Sequence, residues 1–263
     1  MLRALAPLLC LLACAVTAEA QQPFLVDDSE VANYRRWHFE TNSEYDVLPR
    51  SASPNLRQFN QTIKFSYGLF ARMEVGADLP ILKIHNAPSS GLGDPFGIGD
   101  CDFSVKYRFH DEKSGSKWPA IAGSLNIEAP TGDSKTQLGS GLTDYALNTI
   151  FQKTISSRDT LRLNLGVTFA GNTLTGVIGI KARGTVFTGG LALVHQFTQR
   201  LDLGIVIYGA YTDADALGRG ELQEQVAGNF ELRKNLTLDF GFTTGQAAGS
   251  PRYGFTLGFT KDF

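Results

Sequence analysis

The sequence predicts an all-β fold, an antiparallel transmembrane β-barrel of about twelve strands. Three observations lead to this prediction: an export signal, a series of segments in which apolar and polar residues alternate, and connections of alternating length. The chain has 263 residues, of which 43% are hydrophobic, and a net charge of −2. Beyond its start it lacks the run of about 20 apolar residues that a membrane-spanning helix needs. No basic excess points to a nucleic-acid partner.

Residues 1–20 have the features of a signal peptide. A short apolar stretch at 4–13 precedes Ala18-Glu19-Ala20, which matches an A-x-A cleavage site. An alternative is a lipoprotein, because Leu11-Leu12-Ala13-Cys14 resembles the box in which a cysteine such as Cys14 is lipidated. We favour cleavage after Ala20, since Leu12 is not the small residue usually found in that box. Either reading predicts export.

The chain after an irregular N-terminal segment, residues 21–33, shows the period-2 alternation of strands with one apolar and one polar face. The clearest segment runs from Thr160 to Phe169, where every second residue is Leu, Val or Phe. Most segments have about 10 to 14 residues, a length suited to tilted transmembrane strands. We therefore predict a barrel over residues 34–263. Its predicted strands are 36–46, 56–67, 70–80, 98–110, 118–130, 142–155, 159–170, 184–198, 200–212, 221–233, 235–245 and 253–263.

The connections between these segments alternate in length. Long, glycine-containing connections are predicted at 81–97, 131–141 and 171–183, with very short turns between them and an intermediate one at 111–117. Outer-membrane barrels have short periplasmic turns and longer outer loops. The pattern therefore predicts a bacterial outer-membrane protein, in contact with outer-membrane lipid and lipopolysaccharide. An even strand count places both termini in the periplasm.

The last segment, from Tyr253 to Phe263, alternates aromatic or apolar residues with small or polar ones and ends in Phe. It resembles the signal that the outer-membrane assembly machinery reads, so Phe263 is predicted to be an assembly signal. Aromatic residues at strand ends are expected to form two girdles at headgroup level. The predicted girdles contain Tyr67, Phe70, Phe109, Trp118, Phe197 and Phe263 at one end, and Tyr145, Phe169, Tyr211 and Tyr253 at the other.

Three motifs carry a family resemblance. They are Gly97-Ile98-Gly99-Asp100 with the strand that follows it, Ala129-Pro130-Thr131-Gly132-Asp133, and Leu138-Gly139-Ser140-Gly141-Leu142-Thr143-Asp144-Tyr145. Their order and spacing resemble the outer-membrane family named for the MetA pathway of phenol degradation, a set of candidate transporters. The resemblance is good over about residues 95–170 and elsewhere extends only to the strand pattern. It implies passage of small solutes, including aromatic or hydrophobic compounds, and it supplies no catalytic residues.

The same motifs are also ordinary turn chemistry, in which glycine permits unusual backbone angles and aspartate caps backbone amides. They are expected to bring Asp100, Asp133 and Asp144 together at the barrel rim. An alternative use of these carboxylates is a cation site, since clustered carboxylates suit calcium. Turn capping is favoured, and no metal or cofactor is predicted.

Charged residues of both signs fall on the predicted inward faces, where they would line a polar lumen because they are costly facing lipid. The candidate lumen-lining residues are Arg72, Glu74, Lys106, Arg108, Glu128, Arg162, Asp202, Glu231 and Asp239. The mixed signs give no strong ion preference. A closed network of ion pairs that plugs the barrel is an alternative, because twelve strands fall between filled and open barrels.

We therefore expect an outer-membrane channel or transporter for small solutes, and not an enzyme. The four histidines, His38, His85, His110 and His195, are far apart in sequence, and no nucleophile elbow occurs. Two alternatives stay open: a barrel enzyme acting on envelope lipid, which requires a Ser–His pair facing lipid, and a structural or adhesive barrel acting through its loops. His195 lies on an outward face near a strand end, where a rim position explains it as well.

Overall fold

The computed structural model describes residues 23–170, 184–212, 220–247 and 249–263. The predicted signal peptide and the predicted loop 171–183 lie outside these residues. Among the described residues no helix is long and apolar enough to cross a membrane. The strands are β1 Trp37–Val47, β2 Asn55–Phe70, β3 Met73–Asn86, β4 Phe96–Ile98, β5 Cys101–His110, β6 Ala120–Ala129, β7 Asp144–Thr154, β8 Asp159–Ala170, β9 Gly184–Thr198, β10 Leu201–Tyr211, β11 Glu221–Arg233, β12 Leu236–Gly245 and β13 Tyr253–Asp262. The described parts of the connections contain three 3-10 turns, Arg50–Ala52, Pro88–Ser90 and Ser134–Thr136.

The strands form one closed antiparallel barrel. Strands adjacent in sequence pair with each other, except that β4 and β5 both pair with β3. The sheet is closed because β1 pairs with both β2 and β13. The predicted fold class and strand number are confirmed. Because β4 and β5 are two pieces of one barrel strand, the thirteen segments form a twelve-stranded barrel. A closed barrel has no edge strand with unpaired backbone amides, which is why it can exist in lipid.

The fourth barrel strand is interrupted at Gly99 and Asp100, where the sequence predicted an unbroken strand. Its first piece pairs with β3 near Leu82, and its second piece pairs with the other half of β3. Between them lies Pro80, which has no amide hydrogen to donate to the ladder. The Pro80 carbonyl still accepts a bond from the Gly99 amide at 2.9 Å. Because β3 continues past Pro80 to Asn86, the connection predicted at 81–97 is shorter, covering 87–95.

The two ends of the barrel differ as the alternating connections predicted. At what we call the short-turn end, the strands are joined at 71–72, 111–119, 155–158, 199–200 and 234–235. At the long-loop end they are joined at 48–54, 87–95, 130–143, 171–183, 212–220 and 246–252. Chain termini of the barrel, Trp37 and Phe263, meet at the short-turn end, where the Phe263 amide donates to the Trp37 carbonyl at 3.0 Å.

Outward and inward faces separate apolar from polar residues. Leu165, Ile205 and Ile207 are 52%, 60% and 58% exposed on the outside of the isolated chain, whereas Asp239 on an inward face is 1% exposed. Apolar outer side chains gain by facing hydrocarbon, and inward charges gain hydrogen-bond partners. The predicted girdle residues lie at the strand ends with exposed rings, apart from the half-buried Tyr67.

Candidate functional site: the barrel lumen

Residues 23–33, which precede the first strand, lie inside the barrel. Five of their side chains, Phe24, Val26, Asp28, Ser29 and Val31, are at most 4% exposed. The sequence predicted only that this stretch is irregular. Its position inside the lumen makes it the centre of the candidate site, and we call it the lumen segment.

The lumen segment is held through its backbone by side chains of several strands. The Leu25 amide donates to Gln225 Oε1 at 3.0 Å, and Gln225 Nε2 donates back to the Pro23 carbonyl at 2.9 Å. Further along, the Ser29 amide donates to Gln152 Oε1 at 3.1 Å and the Ala32 amide to Glu74 Oε2 at 2.6 Å. These bonds give partners to amides that no secondary structure satisfies.

One side of the lumen segment is apolar. Phe24 and Val26 pack against an inward strip of small aliphatic side chains from β9, β10 and β11. Glycines in the wall make room for them: a Cβ added at Gly204 would lie 2.7 Å from Phe24 Cε1, and one at Gly190 would lie 2.5 Å from Val26 Cγ2. The strip consists of Ala192, Val194, Val206 and Ala227. Each methylene buried there stabilises the segment by roughly 0.8 kcal/mol.

The other side of the lumen segment is charged. Asp28 lies 3.3 Å from Lys106 Nζ and 3.7 Å from Arg162 Nη2, and all three side chains are nearly or fully buried. The Arg162 guanidinium also lies 5.3 Å from the centre of the Phe24 ring, a cation–π distance. Glu30 is ion-paired with Arg108, which reaches Asp111 at 2.9 Å. Predicted lumen residues of β5 and β8 therefore bind the lumen segment directly.

A cavity of about 610 Å³ lies in the lumen on the long-loop side of the lumen segment. Four carboxylates cross its wall in one row, because Asp78, Asp102, Glu128 and Asp144 are direct cross-strand neighbours on β3, β5, β6 and β7. Like charges directly opposite one another are destabilising in a sheet. Asp27, Glu44 and Asp100 also line this cavity, and no described lysine or arginine does. The wall of this cavity is therefore acidic.

A second cavity, of about 560 Å³, opens at the short-turn end. It is lined by residues of both signs, including Glu30, Arg108 and Lys153, and it is covered by the 111–119 connection. Glu112 of that connection is ion-paired with Lys153 and accepts a bond from the Thr154 amide at 2.9 Å. Desolvation opposes ionisation of Glu112, but these hydrogen bonds hold its pKa below the usual range. The connection is thereby fixed to β7.

The three motifs of the family resemblance meet at the long-loop end around Asp100. Asp100 accepts bonds from the Gly132 amide at 2.8 Å and the Ser140 amide at 2.6 Å. Asp133 caps the Lys135 amide of its own turn. Among the described residues no group of His, Cys, Asp or Glu side chains could hold a metal ion. The contacts made by Asp100 and Asp133 are those of turn capping.

The remaining predicted lumen residues occupy different places. Arg72 lies in the turn between β2 and β3, half exposed and ion-paired with Asp111, and not in a strand facing the lumen. Asp202 and Glu231 are partly buried, with Asn229 and Thr237 as their respective neighbours across the sheet. Asp239 accepts bonds from Asn229 and Thr260, both at 2.6 Å.

The sequence interpretation missed a buried cluster on β1 and β2. His38 lies 2.7 Å from Glu40 Oε1 and 2.6 Å from Asp262 Oδ1, and Lys64 Nζ lies 3.8 Å from Glu40 Oε2. All these residues except Asp262 are buried or nearly so. The period-2 pattern of 36–46 contained the signal, since His38, Glu40 and Glu44 alternate with Phe39, Thr41 and Tyr45.

The arrangement required by a lipid-modifying enzyme is not formed at His195. Its Nδ1 lies 2.7 Å from Asp159 Oδ1, and the hydroxyl of Ser156 donates to the other oxygen of the same carboxylate. Serine and histidine thus both contact the aspartate, whereas a serine nucleophile must bond to the histidine that removes its proton.

Comparisons with known proteins agree with this geometry. The family described as "Putative MetA-pathway of phenol degradation" matches residues 37–261. An outer membrane channel from Pseudomonas putida F1 superposes with a TM-score of 0.72 at 13% identity, covering 90% of this chain and 98% of that one. The NanC porin shares the fold, with a TM-score of 0.58 at 8% identity over 85% of this chain and 98% of that one. The KdgM porin also shares it, with a TM-score of 0.54 at 10% identity over 86% of this chain and 99% of that one. No curated protein matches the chain. At such identities the likeness is one of fold.

Proposed function

We propose that this chain, which belongs to the family of the MetA-pathway of phenol degradation, is an outer-membrane channel for small solutes, aromatic compounds among them. The observation that carries the proposal is a closed barrel whose polar lumen contains a cavity on each side of the lumen segment. A solute entering from the long-loop end reaches the first cavity and must pass the lumen segment to reach the second.

The size of the lumen suits small molecules. Ligand pockets for small compounds usually span about 300 to 1,000 Å³, and the two cavities, of about 610 and 560 Å³, lie in this range. Passage requires the lumen segment to shift, because its buried side chains occupy the space between the wall strands. The hydrogen bonds and ion pairs that hold it therefore set how often the path opens.

The charge of the first cavity favours some solutes over others. Its carboxylate row attracts cations and repels anions, in a lumen where solvent screens charges less than in bulk water. Neutral and cationic aromatic compounds are therefore favoured over aromatic acids. This proposed preference differs from the lack of strong selectivity that the mixed signs in the sequence led us to expect.

A structural barrel is the second candidate function, and the lumen segment itself favours it. Ion pairs from Asp28 and Glu30 to the wall would stabilise a permanently filled barrel. The two functions differ in one observable, because a permanently filled barrel passes no solute.

Liposome swelling tests the proposal. Refolded protein is placed in liposomes, which are then diluted into isosmotic arabinose, benzyltrimethylammonium chloride or sodium benzenesulfonate. We expect swelling in arabinose and faster swelling in benzyltrimethylammonium than in benzenesulfonate, both of which stay charged and therefore do not cross lipid readily. Liposomes with heat-unfolded protein are the control. Swelling no faster than this control in all three solutes would favour the structural barrel.

The location of the protein in the cell is tested by a separate experiment. If the protein is exported to the outer membrane, sucrose-gradient fractionation of cells should place it with lipopolysaccharide, in a form whose electrophoretic mobility changes on heating. Recovery in the inner membrane or cytosol would contradict the proposal before any transport assay.

A further inference from the structure

The short-turn end carries an unusual excess of exposed positive charge. Nine of the described lysines and arginines are exposed there, distributed over every turn at this end and over the chain just before β1. We call them the basic collar; they are Arg35, Arg36, Arg72, Lys113, Lys117, Arg158, Arg200, Arg233 and Lys234. None of the described Asp or Glu side chains at this end is as exposed.

The carboxylates near the basic collar neutralise Arg72 alone among its described members. Asp111 pairs with Arg72 and Arg108, Glu112 with Lys153, and Asp262 with His38. Asp159 is bonded to His195. Apart from Arg72, no collar residue forms an ion pair with any residue that the structure describes. The collar therefore contains eight cations without an anionic partner among the described residues.

The opposite end is different. Among the residues that the structure describes there, the exposed cations are accompanied by exposed carboxylates. The cations are Arg50, Arg57, Lys135 and Arg252, and the carboxylates are Asp94, Asp133 and Glu224. One of these, Asp94, accepts hydrogen bonds from its neighbours, and its pKa is lowered, first by the bond from His85. Among the described residues, charges of both signs are thus interspersed at the long-loop end, and the unbalanced positive charge lies at the short-turn end.

The basic collar directly adjoins an aromatic girdle. Trp37, Phe70, Phe109 and Trp118 are between 52% and 70% exposed at this end, and Lys261 Nζ lies 4.3 Å from the ring of Phe263. Exposed Trp and Phe rings at strand ends mark the depth of lipid headgroups. Long cationic side chains next to such rings extend to the phosphates, where their charge is best solvated.

We infer that the basic collar is a docking surface for anionic phospholipid headgroups of the leaflet that surrounds the short-turn end. Each lysine or arginine near an anionic membrane surface contributes about 1 kcal/mol of attraction, or about a fivefold preference. The surface would concentrate lipids such as phosphatidylglycerol around the barrel. This inference is independent of conduction, since it requires only that the barrel lies in a membrane.

Lipid retention tests the inference. The protein is reconstituted in nanodiscs of phosphatidylethanolamine and phosphatidylglycerol at 3:1, and the lipids that stay bound after transfer to detergent are counted by native mass spectrometry. We expect phosphatidylglycerol to be enriched over its share of the disc. The enrichment should fall by about fivefold or more in the triple variant Arg158→Gln, Arg200→Gln, Lys234→Gln, and should also fall at 1 M salt, where charges are screened.

The matched control removes the same number of exposed cations from the other end, as Arg50→Gln, Arg57→Gln, Arg252→Gln. It should retain the wild-type enrichment, and heat-modifiable mobility should show that both variants fold. Three results would overturn the inference: no phosphatidylglycerol enrichment in the wild type, equal losses in the two triple variants, or enrichment of added lipopolysaccharide in place of phosphatidylglycerol.

Discussion

Lys106 and Asp28 form an ion pair inside the barrel, with 3.3 Å between Nζ and Oδ1 and side chains only 6% and 3% exposed. One partner belongs to the wall strand β5 and the other to the lumen segment, so this pair joins the barrel to the element that fills it. Breaking a buried pair by removing one partner is strongly unfavourable, because the other charge is left without compensation. The pair therefore favours the occluded state of the lumen.

Asp28→Asn should loosen the lumen segment without unfolding the barrel. The change removes the charge that faces both Lys106 and Arg162. Hydrogen bonds to charged groups contribute about 1.5 to 3 kcal/mol, so the open fraction in single-channel recordings should rise about tenfold or more. Asp133→Asn is the matched control, since Asp133 caps only its own turn. An unchanged open fraction in Asp28→Asn would show that the ion pairs do not hold the segment.

Arg162→Ala should shift ion selectivity toward cations while leaving the fold intact. The guanidinium is 12% exposed within the lumen, and removing its positive charge makes the local field more negative. Reversal potentials measured in a salt gradient should move by several millivolts toward the cation equilibrium potential, and heat-modifiable mobility should be unchanged. If the reversal potential stays at its wild-type value, ions do not pass near Arg162.

Glu128→Gln should have the opposite effect on selectivity. Glu128 lies between Asp102 and Asp144 in the row that crosses the cavity wall. In alkaline buffer, where the opposed carboxylates are ionised, removing the Glu128 charge weakens the negative field and relieves their repulsion, so cation preference should fall while stability rises by about 0.2 to 1 kcal/mol. Urea unfolding in lipid vesicles measures the stability change. A variant that is both less stable and equally cation-selective would contradict the assigned role of the row.

Deleting Phe263 should reduce insertion into the outer membrane. The terminal strand β13 alternates as the assembly signal requires, and the Phe263 amide also donates to the Trp37 carbonyl where the barrel closes. Fractionation should show a severalfold loss of folded protein from the outer membrane and degradation in the periplasm. A deletion strain with normal amounts of heat-modifiable barrel would argue against Phe263 as the signal.

Most of the fold could be predicted because lipid imposes a simple rule on each strand. Outward positions such as Leu165 and Ile205 must be apolar, and inward positions such as Arg162 and Asp239 need hydrogen-bond partners. This alternation can be recognised in the sequence of each long strand. The interruption at Gly99 was missed because it depends on Pro80 of the neighbouring strand, and single-strand patterns carry no information about neighbours.

Less of the candidate site could be predicted, because it depends on which strands become neighbours. Lys106, Arg108 and Arg162 were identified as inward residues, but their partners Asp28 and Glu30 lie in a segment without periodicity. The carboxylate row also was not predicted, because it depends on the register between neighbouring strands. Glu128 was identified alone, and only the antiparallel pairing places Asp102 and Asp144 directly beside it.

The central claim is that the barrel conducts and that the lumen segment limits conduction. The most direct test is the single-channel conductance of the refolded protein in a planar bilayer, compared with a variant lacking residues 23–33. The account predicts small, brief openings for the full barrel and a stable conductance severalfold larger for the deletion, which leaves the closed sheet of β1 to β13 intact. Absence of current from both folded proteins would contradict the account and favour a structural barrel.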